Sequence, residues 1–373
     1  MGFPGRRRPH PAADRRVRGW PDSDAGHPPP GRGSALLRAF ALLVVLPPVL
    51  AAAQPAASAI DGVTPDTQVS VDARARQAAW AERVRRAAEA LAWSDERIAH
   101  EWRIQRRPGT DDCRLLDPRD RVVIAGPRAA CDERFADLVT TGLIPRHTGP
   151  TVIVLHGLGE GRSSMSPLVE HLRRHVTDTV VTFGYASPRA GLADHGAALA
   201  SVVAALPADE GVSFVAHSLG NLVVRRWMHS AAPAELARVR RIVMLGAPNQ
   251  GSELARLASR VWGLPALAEG AARELVVDWE QIAPDLAVPT CPFGIVAGGR
   301  GDESGFSALL EGDDDAVVRV AETRLDGADD FLLVPVHHAL MMRHPTVQRA
   351  TVSFLTTGRF AVPDGTAPEP VSR

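Results

Sequence analysis

Val212-Ser213-Phe214-Val215-Ala216-His217-Ser218-Leu219-Gly220-Asn221 reads as a buried strand that runs into a serine, with a helix starting at once. Such a strand-to-helix bend strains the serine and lifts its hydroxyl above a sheet, where it can act as a nucleophile. Neighbouring backbone comes close at this bend, so small residues must flank it. Gly220 stands two positions after Ser218, and Ala216 two positions before. The ordinary alternative is a strand–turn–helix with a surface serine. His217 is adjacent to Ser218 and tempts as a base, but successive strand residues point to opposite faces. Its side chain is therefore expected to point away from the hydroxyl and to serve packing.

A second chemical segment is Thr151-Val152-Ile153-Val154-Leu155-His156-Gly157-Leu158-Gly159. A glycine-rich turn after a strand leaves backbone N–H groups free to point inward, and a developing oxyanion needs two such donors held ready. Phosphate binding is the competing use of such a turn. It requires Gly-Lys-Ser/Thr, and the 373-residue chain has no Lys: its 42 cationic residues are all Arg.

The elements that must carry these residues follow from the apolar pattern. After about residue 148, apolar runs alternate with amphipathic stretches, the mark of βαβ units and a mostly parallel sheet. Strands are expected at Thr151–Leu155, Val180–Phe183, Val212–Ala216, Ile242–Leu245, Phe293–Ala297 and Phe331–Val334. Helices are expected near 164–175, 191–206, 219–230 and 344–357. Continuous apolar strands fit a sheet covered on both faces. The insertion 250–290 mixes Trp262, Leu264, Leu267 and Val276 with charges, as a lid, a pocket wall or core. Upstream, Trp80, Val84, Ala87, Ala88 and Leu91 recur at helical spacing within 71–92. Turn signals around Val122-Val123-Ile124 suggest a hairpin within 110–131.

On these motifs the chain resembles the α/β-hydrolases, in particular their lipase-like bacterial members, over nearly all of 148–360. The resemblance implies an α/β-hydrolase fold with helices on both faces of the sheet, extended by an N-terminal helix and hairpin. It makes Ala216-His217-Ser218-Leu219-Gly220 a variant of G-x-S-x-G and gives the oxyanion donors as the N–H groups of Leu158 and Leu219. The family order is serine, acid, histidine. In Val334-Pro335-Val336-His337-His338-Ala339-Leu340-Met341-Met342, His338 matches the catalytic histidine, with His337 as the alternative base. In Glu311-Gly312-Asp313-Asp314-Asp315-Ala316-Val317-Val318, Asp315 matches the acid; Asp314 is the near rival and Asp302 a distant one. A solvated loop or a calcium site is the other reading of the triple Asp, though EF-hand spacing is absent. Gly246-Ala247-Pro248-Asn249-Gln250-Gly251-Ser252 is a further family marker. No cofactor is implied. The expected reaction is hydrolysis of a carboxylic ester, lipid or acyl, through an acyl-enzyme. Acyl transfer on the same triad, or a non-catalytic lipid- or partner-binding protein of the same fold, are the alternatives.

Four regions are thus expected: a leader over 1–59, an extension over 60–147, the catalytic domain over 148–360 and a loose tail over 361–373. The leader has an Arg-rich start, the apolar run Ala39–Leu46 and small residues through Ala59, the pattern of a signal peptide and hence of export. An uncleaved anchor, with contact to a membrane surface, is the minority reading. Net charge is -1, which gives no support to a nucleic-acid partner. Cys113, Cys131 and Cys291 form no zinc-ligand spacing. Cys113 and Cys131 are placed to close one short segment as a disulfide; three free thiols is the other reading.

Overall fold

The computed structural model describes residues 78–79, 88–89, 91–145, 148–262, 270–276 and 278–361, with backbone alone for 258–262 and 276. The expected leader, most of the helix over 71–92, Leu264 and Leu267 of the insertion, and the tail from 362 lie outside the described residues.

The first described unit is an antiparallel four-stranded sheet: β1 (Ser94–Ala99), β2 (Trp102–Arg106), β3 (Cys113–Leu116) and β4 (Val122–Gly126), in that spatial order. Helix α1 (Arg128–Thr140) follows and packs Cys131, Phe135 and Leu138 on Ile104, Cys113 and Leu115, a small core of its own. The hairpin expected within 110–131 is thus part of a larger sheet that starts at residue 94 and hands over to a helix. Cys113 and Cys131 lie on facing elements of this core as free, buried thiols, so the expected disulfide is not formed. Burial pushes the Cys113 thiol up to about 11 and raises that of Cys131, which withholds the thiolate that disulfide exchange requires.

The main sheet has six strands, all parallel: β5 (Thr151–Leu155), β6 (Thr179–Phe183), β7 (Val212–His217), β8 (Val239–Leu245), β9 (Phe293–Gly298) and β10 (Asp330–Val334). Their order is β10-β9-β8-β7-β5-β6. The longer helices are α2 (Ser166–His175), α3 (Leu192–Ala204), α4 (Leu219–Ser230), α5 (Glu253–Trp262), α6 (Gly270–Val276) and α7 (Pro345–Thr357). The two-residue alternation of the strands divides the core. Ile153, Leu155 and Phe214 pack with Leu199 of α3 and Leu222 and Trp227 of α4. Val152, Val154 and Val215 pack with Leu168 and Leu172 of α2 and with Val347 and Phe354 of α7. Both faces are covered, which is why these strands read as unbroken apolar runs. This is an α/β-hydrolase fold.

The topology also sets the location of the chemistry. From β5 the chain moves outward to β6, then returns to the other side of β5 as β7. The turns leaving β5 and β7 therefore flank a switch point at the carboxyl edge of the sheet, where open α/β sheets form their binding crevice.

The small sheet docks on this edge beside β6. The Asp95 N–H donates to Gly184 O at 2.8 Å, and its carboxylate accepts Gly184 N–H at 2.7 Å, Arg103 at 2.6 Å and Gln105 at 2.7 Å. Arg103 also donates to Thr182 O at 3.1 Å, and Ala186 N–H to the Ser94 hydroxyl at 3.1 Å. Asp95 and Arg103 form a fully buried ion pair, tolerable because each finds further hydrogen bonds.

Candidate active site

Ser218 takes φ 53° and ψ −122°, left-handed backbone that a non-glycine residue enters at a cost of about 1–3 kcal/mol. The surroundings enforce it. The Ser218 N–H donates to Leu245 O at 2.9 Å, which extends the β7–β8 ladder, and Asn221 Nδ2 donates to Ser218 O at 3.0 Å. A Cβ on Gly220 would stand 2.8 Å from His156 O and 2.9 Å from Leu155 Cβ; one on Gly157 would stand 3.1 Å from Ser218 Cβ. The elbow therefore requires glycine at 220, and the turn after β5 leaves little room for a side chain at 157. Ser218 itself is half-buried.

Within that turn the N–H groups are divided. Gly157 N–H donates to Glu160 Oε2 at 3.0 Å, and Gly159 N–H to Ser187 Oγ at 3.0 Å. The Leu158 N–H between them, and the Leu219 N–H at the start of α4, donate to no acceptor among the described residues. These are the two donors that the resemblance singles out. The turn is braced from behind: the Tyr185 hydroxyl donates to His156 O at 2.6 Å, and its ring stacks on the His156 ring at 4.3 Å. Burial pushes the His156 imidazole down to about 4, so it stays neutral and shapes the turn through its contact with Gly157 O.

His338 Nδ1 lies 2.7 Å from Asp315 Oδ2, and the His338 N–H donates to Asp315 O at 2.9 Å. The other carboxylate oxygen of Asp315 accepts the N–H groups of Val317 at 3.0 Å and Val318 at 2.7 Å. Burial alone would lower the His338 pKa. The charge and hydrogen bond of Asp315, with a further contribution from Glu160, outweigh it and leave the imidazole above its ordinary 6.5. Gly246 (φ 53°) passes so close to His338 that an added Cβ would stand 3.0 Å from the ring. The Gly-Ala-Pro marker thus makes room for the imidazole. Ser218 and His338 both border the Leu245–Gly246 turn: the Ser218 N–H bonds Leu245 O, and the His338 ring lies against Gly246.

The rival residues are employed elsewhere. The His337 ring packs on Phe306 at 4.0 Å. Asp314 is buried and accepts the N–H groups of Ser307 at 3.0 Å and Ala316 at 2.6 Å. Asp313 accepts those of Arg300 and Gly301, and Asp302 those of Ser304 and Gly305. The triple Asp is not a solvated run: Asp314 and Asp315 are buried, and Asp313 is half-buried.

Two residues absent from the sequence-based set stand beside these. His217, expected to serve packing alone, lays its ring 4.5 Å from that of His338 and turns Nδ1 toward Glu160 Oε2 at 3.4 Å. Burial works against the Glu160 charge, yet His217, Gly157 N–H and the Ser164 hydroxyl hold its carboxyl well below the usual carboxylate range. No local sequence pattern announces either residue, because their meeting depends on β5 lying beside β7.

In the insertion, Ala271 and Leu275 of α6 join the main core and Leu192 N–H donates to Glu274 at 2.7 Å, so α6 is anchored on α3. Leu158, Trp279 and Ile282 are partly buried apolar neighbours of the same core. A separate cavity of about 650 Å³ opens behind the turn after β5, between the small sheet and α2; His156 and Tyr185 line it and Ser218 does not. Its arginines are matched by acids, Arg162 with Asp120 and Arg114 with Glu89.

No family model matches the chain, and no curated protein matches it. Among solved structures it is similar to the mature form of a Bacillus licheniformis lipase, BlEst2, at 18% identity and TM-score 0.45, over 58% of this chain and 94% of that one. It is similar to a metagenomic carboxyl esterase, MGS0156, at 18% identity and TM-score 0.39, over 52% and 66%. A third likeness is to phospholipase PlaB from Legionella pneumophila, at 22% identity and TM-score 0.38, over 47% of this chain and 46% of that one.

Proposed function

We propose that the chain is a serine hydrolase of carboxylic esters, with Ser218 as nucleophile, His338 as general base and acid, and Asp315 as the group that orients and charges the imidazole. The observation that carries this reading is the 2.7 Å His338–Asp315 pair at the sheet edge where strained Ser218 emerges. Asp315 fixes the proton on Nδ1, which leaves Nε2 as the lone-pair nitrogen for the serine hydroxyl. His338 takes the Ser218 proton, the alkoxide attacks the acyl carbon, and the carbonyl oxygen becomes an oxyanion. The unclaimed N–H groups of Leu158 and Leu219 receive it; the second also stands at the positive end of the α4 dipole. His338 then protonates the departing alcohol, and water repeats the sequence to release the acid.

An acyl group of hydrocarbon character is the proposed substrate portion, on the resemblance of the motifs to lipase-like hydrolases. The test is steady-state hydrolysis of a p-nitrophenyl ester series of graded chain length by the wild type and Ser218→Ala. The reading expects turnover that disappears in the variant; equal rates for the two would reject it.

A further inference from the structure

Glu160 and His217 lie against the proposed triad but take no part in it. Glu160 closes the turn after β5, and its Oε2 gathers the Gly157 N–H at 3.0 Å, the Ser164 hydroxyl at 2.9 Å and the Nδ1 edge of His217 at 3.4 Å. His217 is fully buried, and its Nε2 has no hydrogen-bond partner. With no acceptor for a proton on Nε2, the ring carries it on Nδ1, facing the Glu160 carboxylate. The opposite side of His217 is the His338 ring, tilted by 44° at 4.5 Å between centroids.

We infer that Glu160 is a positioning residue for the general base, a second carboxylate that acts through His217 to fix its tautomer and to favour the imidazolium form of His338. The inference rests on the hydrolase reading and adds to it a group outside the triad. When Ser218 surrenders its proton, positive charge appears on a ring enclosed by protein, where a nearby carboxylate is felt strongly. Asp315 faces that ring from the loop after β9, and Glu160 faces it from the turn after β5 with His217 between. The Leu245–Gly246 turn beneath the ring adds no titratable group. On its own far side, Glu160 is felt by His156 and Tyr185, both buried. His217 packs on the base ring against ring, with Nδ1 toward the Glu160 carboxylate and Nε2 unpartnered, and so sits between the two.

The test is a pH titration of the His338 ring followed by NMR in the full chain, with its signal assigned by its loss in His338→Gln. In Glu160→Gln the midpoint falls by about half a pH unit or more, because the charge that favours imidazolium is gone. Glu160→Asp restores most of it, and the acidic limb of kcat/KM for p-nitrophenyl butyrate moves in the same direction. If Glu160→Gln lowers kcat but leaves both midpoint and limb at the wild-type position, Glu160 only shapes the turn and the inference fails. A second measurement needs no variant: the ring nitrogen shifts of wild-type His217 report a proton on Nδ1, and a proton on Nε2 overturns the inference. An inert wild type whose His338 midpoint still falls in Glu160→Gln rejects the hydrolase and upholds the coupling. An active wild type with an unmoved midpoint rejects the coupling alone.

Discussion

At the scale of single residues, neighbours that look alike in the chain have different partners. Asp313, Asp314 and Asp315 are consecutive, yet the first two spend their oxygens on loop N–H groups and the third reaches His338. Asp315→Asn is therefore expected to lower kcat by about 10⁴-fold, because the amide permits the wrong imidazole tautomer. His337→Ala is expected to stay within about threefold of wild type in the same ester assay, since His337 packs on Phe306 and loses little but surface contact. The pH dependence follows from the raised His338 pKa. The base works in its neutral form, so activity is full above that pKa and lost as pH falls through it. The acidic limb of kcat/KM is expected above pH 6.5, the ordinary value for histidine.

At the scale of elements, the fit between the β5 turn and the start of α4 is the sensitive joint. Gly220→Ala places a methyl 2.8 Å from His156 O, so strand end and turn must part and the Leu158 N–H moves away from the oxyanion position. A loss of roughly 10²-fold in kcat with little change in KM is expected. Gly161→Ala, four residues beyond Gly157, meets nothing within 4 Å and serves as the control with near-wild-type kinetics.

This joint was readable in the sequence because its requirements are local: an apolar run, a serine and small flanking residues. The six strands were readable for a related reason, since burial on both faces keeps most of their positions apolar; Arg240 and Arg241 at the start of β8 are an exception and shortened that strand as read from the sequence. The small sheet was not. Its strands β1 and β2 read Ser-Asp-Glu-Arg-Ile-Ala and Trp-Arg-Ile-Gln-Arg, a solvated pattern, yet Asp95, Glu96, Arg103 and Gln105 are buried. They satisfy one another across strands, and Glu96 is met by Arg106 and Arg128. Charge that is cancelled in space inverts the one signal a linear reading relies on. Glu160 and His217 were illegible for the same reason: only the β5–β7 pairing brings them together.

At the scale of the whole molecule, the small sheet is a brace for the active edge. Asp95 pins Gly184, the next residue Tyr185 pins His156, and Ser187 pins Gly159, so the docked sheet supports the segment that holds the turn after β5, the proposed oxyanion turn. Arg103→Ala leaves Asp95 buried without its cation and is expected to cost about 3–5 kcal/mol in urea unfolding. Loss of activity should accompany it below the unfolding transition. Arg134→Ala removes an exposed 3.9 Å contact to Asp137 and should change stability by less than about 0.5 kcal/mol.

All of these expectations assume that Ser218 is made nucleophilic by His338. The most direct measurement is reaction of the intact protein with a fluorophosphonate, followed by mass-spectrometric mapping of the adduct. The account predicts one phosphonylated residue, Ser218, with labelling abolished in His338→Ala and retained in His337→Ala. An unlabelled wild type, or an adduct on another serine that forms without His338, would contradict it.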